Sequence, residues 1–158
     1  MNGPEAAVER RVVRLVDVPV RLYREAQQHT DEVLRELVLM AGWEEAQGTS
    51  GAATRLAGTA DRHRAARHAL SLVAERTLAG ASGDRVTIEY DVEVGAADAN
   101  EEWAALLDEL AELCRDGGML VVPAEGEVAA FSRWFCEEFV RQLRDGAEPR
   151  PWRGRVSV

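Results

Sequence analysis

Lysine is missing from this chain: all 19 of its basic residues are arginine. The absence removes chemistry that starts from a lysine amine, namely the P-loop, the Schiff-base nucleophile, the pyridoxal-phosphate anchor and the kinase phosphate lysine. Isoleucine occurs once, at Ile88, against many Val, Ala, Leu, Gly and Arg residues. That is the usage of a GC-rich coding sequence, so part of the arginine bias is genomic. Long apolar runs are also missing. None is longer than Leu37 to Ala41, far short of the ~18 residues that a membrane span requires. Cysteine is scarce, and Cys114 and Cys136 both fall inside helical patterns with no CxxC or Cys/His spacing. A structural disulfide and a zinc site are therefore not expected, and both thiols read as small buried hydrophobes. The opening residues 1–7 have neither a basic region nor an apolar core, so no signal peptide is expected, and the expected compartment is the cytoplasm.

A basic excess is lacking too. The net charge is −9, and its distribution is uneven: residues 84–127 hold 13 acids and two arginines, whereas residues 1–83 hold 11 of each. Residues 128–158, with four acids and six arginines, lean slightly basic. This opposes general nucleic-acid binding and suits either a solvated acidic face or a basic protein partner. At 158 residues, 46% hydrophobic and 30% charged, the chain reads as one globular domain. Residues 1–143 form the expected α/β domain and 144–158 a Pro/Arg-rich C-terminal tail.

Arg11 to Asp17 reads as a first strand, stopped at Val18-Pro19. Leu22, Ala26, His29, Val33, Leu37 and Met40 then mark one face of a helix expected to end near Gly42. Trp43 to Gly58 reads mostly as a loop, and a second helix is expected over Thr59 to Leu78. The clearest strand follows: Val86, Ile88, Tyr90, Val92 and Val94 alternate with Thr87, Glu89, Asp91 and Glu93. Asn100 is a good helix N-cap, with Glu101 and Glu102 in the first turn and an apolar stripe from Trp103 to Cys114. After Gly117-Gly118, Met119 to Val122 reads as a third strand, and Val128, Phe131, Phe135, Phe139 and Leu143 line a last helix. The expected fold is α/β (α+β): a small three-stranded sheet with helices packed mainly on one face, in the order β-α-α-β-α-β-α. Residues 86–122 then form a βαβ crossover with parallel strands.

Three residue groups stand out as candidate contact sites. Glu89, Asp91 and Glu93 project from one strand face about 6.6–7 Å apart, so they suit a divalent cation, the arginines of a partner protein, or plain solvent. Arg62, Arg64 and Arg67, with Arg55, His63 and His68, form the one basic cluster, suited to an anion or to an exposed polar face. On a continuous helix His63 and His68 lie about 140° apart, which prevents them from sharing one ligand. Trp134, among Phe131, Phe135 and Phe139, and Trp152, between Pro151 and Arg153, suit either core packing or a docking face. His29, on an apolar seam with no nucleophile at an elbow beside it, reads as a core histidine. No catalytic residue, cofactor site or metal-ligand set is assigned.

Val13 to Tyr23, running into Gln28 to Leu37, together with Phe131 to Phe135 and Glu138 to Gln142, resembles a family of uncharacterised actinobacterial proteins associated with anti-sigma/partner-switching regulators. The resemblance implies regulation through protein contacts and no established chemistry. Glu36 to Ala41 is also similar to the Glu-Leu-x-x-Asn-Ala helix of anti-sigma-type kinases. Here Met40 stands at the Asn position, and Asp116 to Leu120 does not supply their Asp-x-Gly-x-Gly motif, so no nucleotide site is carried over. The expected function is a cytoplasmic, non-enzymatic regulatory module that binds another protein, one of basic character. Nucleic acid and membrane are not expected as partners, and a homo-oligomer is left open. The alternative is a small-ligand or nucleotide-responsive sensor with its site at the carboxyl ends of the parallel strands, near Gly95 to Asn100 and Pro123 to Gly126.

Overall fold

The computed structural model describes residues 7–154, so the opening residues 1–6 and the last four of the expected tail lie outside it. Seven elements follow in the order β1 (Arg10–Pro19), α1 (Val20–Ala46), α2 (Ala52–Arg62), α3 (Arg64–Ala79), β2 (Arg85–Glu93), α4 (Ala96–Arg115) and α5 (Gly126–Asp145). β1 and β2 pair antiparallel in a two-stranded sheet, with Val13 opposite Tyr90, Arg14 opposite Glu89 and Leu15 opposite Ile88. The register breaks between Leu15 and Val18, where Asp17 takes a left-handed φ of 58°. Aspartate tolerates that conformation better than a β-branched residue does.

This architecture corrects the expected fold in several places. The sheet has two strands rather than three, its pairing is antiparallel, and the order is β-α-α-α-β-α-α. Residues 119–122 form no strand among the described residues. Instead the Leu120 and Val121 N–H groups donate to the two oxygens of the Glu36 carboxylate on α1. One acidic side chain thus supplies the acceptors that a neighbouring strand would have offered. Met119 turns into a helical core while Leu120 and Val122 stay exposed, so the short apolar run marks an anchored loop. With no third strand among the described residues there is no βαβ crossover and no set of parallel strand ends there.

The helix boundaries also shift. α1 passes through Gly42 and ends at Ala46, four residues beyond it; the glycine with a left-handed backbone is Gly48, with φ 69°. The expected loop over 43–58 contains the end of α1 and the start of α2, and the expected single helix over 59–78 is broken at His63. α2 packs against α1 and α4, whereas α3 packs beneath β2, and one straight helix cannot serve both. α4 begins at Ala96 with Gly95 as its N-cap, five residues before the expected cap at Asn100. Asn100 therefore lies inside the helix, where its Nδ2 donates to the Ala96 carbonyl at 2.9 Å.

Two hydrophobic clusters hold these elements together. The sheet's inner face, Val13, Leu15, Ile88 and Tyr90, rests on Leu22, Phe131, Phe139 and Trp152. The far end is a cluster of Val33, Leu37, Leu56, Leu106 and Leu110 on helices, joined by Met119 from the loop after α4. No helix among the described residues is long and apolar enough to cross a membrane.

Candidate functional site

The acid-bearing strand face is exposed and already partly neutralised. Register places Arg10 and Arg14 on the same face of β1, and Arg10 Nε lies 3.1 Å from Asp91 Oδ1 while Arg14 Nε lies 3.1 Å from Glu89 Oε1. Glu93 stands 4.0 Å from Arg10 Nη1. Three carboxylates therefore face two guanidinium groups, leaving one acid in excess. All five side chains are solvent-exposed, so each pair contributes little to stability. No group of three His, Cys, Asp or Glu side chains among the described residues is placed to hold a metal ion.

The two edges of the sheet differ. Along the outer edge of β1, the Arg14 N–H donates to Gln142 Oε1 at 2.9 Å, and Gln142 Nε2 donates to the Arg14 carbonyl at 2.8 Å. Two residues further on, the Trp152 N–H donates to the Val16 carbonyl at 2.9 Å. A side-chain amide and a returning segment thus occupy the place of a third strand. The segment is fixed by Glu138, which is fully buried and accepts from Arg141 Nη1 at 2.8 Å, Arg150 Nε at 2.9 Å and Gln142 Nε2 at 2.9 Å. Since Arg14 directs its backbone groups away from β2, its partner Glu89 directs its own N–H and C=O away from β1. No strand among the described residues lies on that side of β2.

Trp134 and Trp152 are both buried, packed with Phe131 in ring contacts of 5.5–5.6 Å. The core-packing alternative therefore describes their surroundings. The basic cluster divides. Arg62 pairs with Glu102, Arg64 with Asp61 at 2.7 Å and Arg55 with Glu109 at 2.8 Å. Arg67 instead sets its guanidinium carbon 4.2 Å from the centre of the Trp103 ring, a cation–π contact. His63 meets the same indole edge-on at 5.8 Å. Its buried Nε2 stands 3.4 Å from Glu102 Oε1 but out of line for a hydrogen bond.

Of these groups His63, Arg64, Arg67 and Trp103 border a cavity of about 380 Å³ between α1, α3, α4 and α5. The helix break at His63 brings His63 and His68 onto the lining of this one cavity, contrary to the helical-wheel expectation, which assumed a continuous helix. The expected pair of parallel strand ends has no counterpart among the described residues; of the residues expected there, Ala99 and Asn100 line this cavity from within α4, and Pro123 and Ala124 border a neighbouring hollow. His29 borders a neighbouring hollow, and burial pushes its pKa below the ordinary value. Sequence reasoning missed Trp103, Tyr23 and Gln142. The visible signal for Gln142 was polarity inside an aromatic stripe, because Glu138 and Gln142 continue the spacing of Phe131 and Phe135.

Comparison with family models, with curated proteins and with solved structures finds no match to this chain.

Proposed function

We propose that the chain is a regulatory module that works by accepting an extended segment of another protein along the outer edge of β2. The observation that carries this reading is the contrast between the two edges. The molecule fills the outer edge of β1 with Gln142 and the Trp152 segment, while the outward N–H and C=O of Glu89 meet no strand. An edge that no strand occupies is a template for strand addition.

Charge selects the partner. β1 meets the Glu89, Asp91 and Glu93 row with Arg10 and Arg14 at alternate positions. An incoming strand with arginine or lysine at every second residue repeats that pairing from the other side. A second copy of β2 fits poorly, since it sets carboxylates against carboxylates. Buried free thiols at Cys114 and Cys136 favour a reducing compartment, so the reading takes the cytoplasm as the setting. Membership of a partner-switching pathway rests on the sequence resemblance alone.

The test is capture of protein from a lysate of the native host by three forms of the chain. Glu89→Pro deletes an outward N–H that β1 does not use, and Glu89→Arg with Asp91→Arg reverses the face. Both are expected to lose the captured partner, whereas Glu89→Gln retains it. Equal capture by all forms would sink the reading.

A further inference from the structure

α1 delivers Leu22, Tyr23 and Ala26 to the aromatic cluster and Val33 and Leu37 to the aliphatic one. Between those two faces it presents Gln27, Thr30 and, at the rim, Asp31 to the cavity, short or polar residues that fill neither core. The cavity of about 380 Å³ lies at this seam. Its size falls within the range of small-molecule sites, and its apolar walls come from Leu107, Phe131 and Phe135.

Arg67 gives the seam its chemical character. It makes none of the ion pairs that occupy Arg55, Arg62 and Arg64, and its planar fork of five donors rests on the Trp103 face. Burial pushes its pKa below the usual arginine range, while the nearby Asp31 carboxylate pulls it the other way. The one acid on the lining is Asp31, which is exposed at the rim. Ser71 and Asn100 add neutral polar groups.

We propose that this cavity binds an aromatic monocarboxylate, its carboxylate held in two-point geometry by Arg67 and its ring packed against Leu107, Phe131 and Phe135. A guanidinium fork matches a planar carboxylate. A single free fork, with Asp31 at the rim, opposes the second negative charge of a phosphate monoester. The ring replaces water on the apolar walls, where burial of apolar area is favourable. This site is independent of strand docking at β2, and neither reading depends on the other.

The experiment titrates the full chain with 1-naphthaleneacetate and, separately, with its neutral isostere 1-naphthaleneacetamide, by calorimetry. The expected result is one-to-one binding of the carboxylate, with the amide weaker by roughly tenfold or more, the effect of one charge-assisted hydrogen-bond pair. Arg67→Gln is expected to bring the carboxylate down to the affinity of the amide while leaving the amide unchanged. Equal affinity for the two probes, no binding of either at millimolar concentration, or undiminished carboxylate binding by Arg67→Gln would each overturn the proposal. The comparison of the two probes uses the unaltered chain, so it stands even where the variant folds poorly.

Discussion

The sheet end and the helical end of this molecule bury apolar surface by different means. At the sheet end, rings interlock: Tyr90 lies 5.2 Å from Phe139, Phe135 stacks on Phe139 at 5.1 Å, and Trp134 meets Trp152 at 5.5 Å. Rings in tilted and edge-on contact fix one arrangement, because their electrostatics favour specific angles. The buried residues of the helical end are Val, Leu, Ala, Cys and Met, which fill space without such preferences, and the one ring packed against them, Trp103, is only partly buried. It also leaves Leu39, Trp43 and Leu120 exposed, the last at 95%. The comparison teaches that α1, 27 residues long, joins a well-specified core to a more adaptable one. The cavity opens at the seam, where neither cluster reaches.

The largest expected effect comes from breaking the ring cluster. Phe139 is fully buried and touches two aromatic neighbours, so Phe139→Ala is expected to cost about 3–5 kcal/mol in urea unfolding. Leu56→Ala, in the helical cluster, is expected to cost about 2–3 kcal/mol, toward the low end of the range for such deletions, because its surroundings can collapse. A larger loss from Leu56→Ala would reverse the comparison and make the helical end the more tightly specified of the two.

The two thiols give a smaller and pH-dependent measure of the same contrast. Burial pushes Cys136, on α5 at the seam, up to about 12, and burial also raises Cys114 in the helical cluster. A thiol whose pKa is raised on folding stabilises the native state below the unfolded value and loses that contribution as pH rises. For Cys136 the window runs from about pH 9 to about pH 12. At pH 10 the loss is about 1.4 kcal/mol, one pKa unit of differential ionisation. Urea midpoints at pH 7.5 and pH 10 are expected to fall further for the native chain than for Cys136→Ala. Equal falls would place Cys136 in a more polar setting than its burial implies.

What the amino-acid pattern revealed follows the same division. β2 was legible because Val86 to Val94 alternates strictly, and its inner residues Ile88 and Tyr90 are indeed buried. The apolar stripes of α1, α4 and α5 were legible for the same reason, since period and burial are directly linked. Residues 119–122 were not, because four apolar residues after a Gly-Gly pair fit a strand and an anchored loop equally well. What decided between them was Glu36, 84 residues away from Leu120. The acidic face was visible as alternation, but its neutralisation by Arg10 and Arg14 depends on a pairing register that no local pattern contains. The cavity was invisible as well, since it arises where α1 changes partner and where a helix breaks at His63 without proline or glycine.

Gly42 and Gly48 offer the smallest test, at the helical end, where one substitution is expected to act in opposite directions. Gly42 was the expected helix stop, yet it lies within α1, and a Cβ added there meets nothing within 4 Å. Alanine in a helix interior saves backbone entropy, so Gly42→Ala is expected to stabilise by about 0.5–1 kcal/mol. Gly48 has equal space around it but a φ of 69°. An L side chain is strained in that conformation, so Gly48→Ala is expected to destabilise by about 1 kcal/mol. Both sites are open to solvent space, which removes packing as an explanation and leaves backbone conformation as the one variable. Thermal melts of the two variants would separate the cases. A loss of stability at Gly42 would show that α1 bends or ends there, and that its last turn belongs to the loop rather than to the helical cluster.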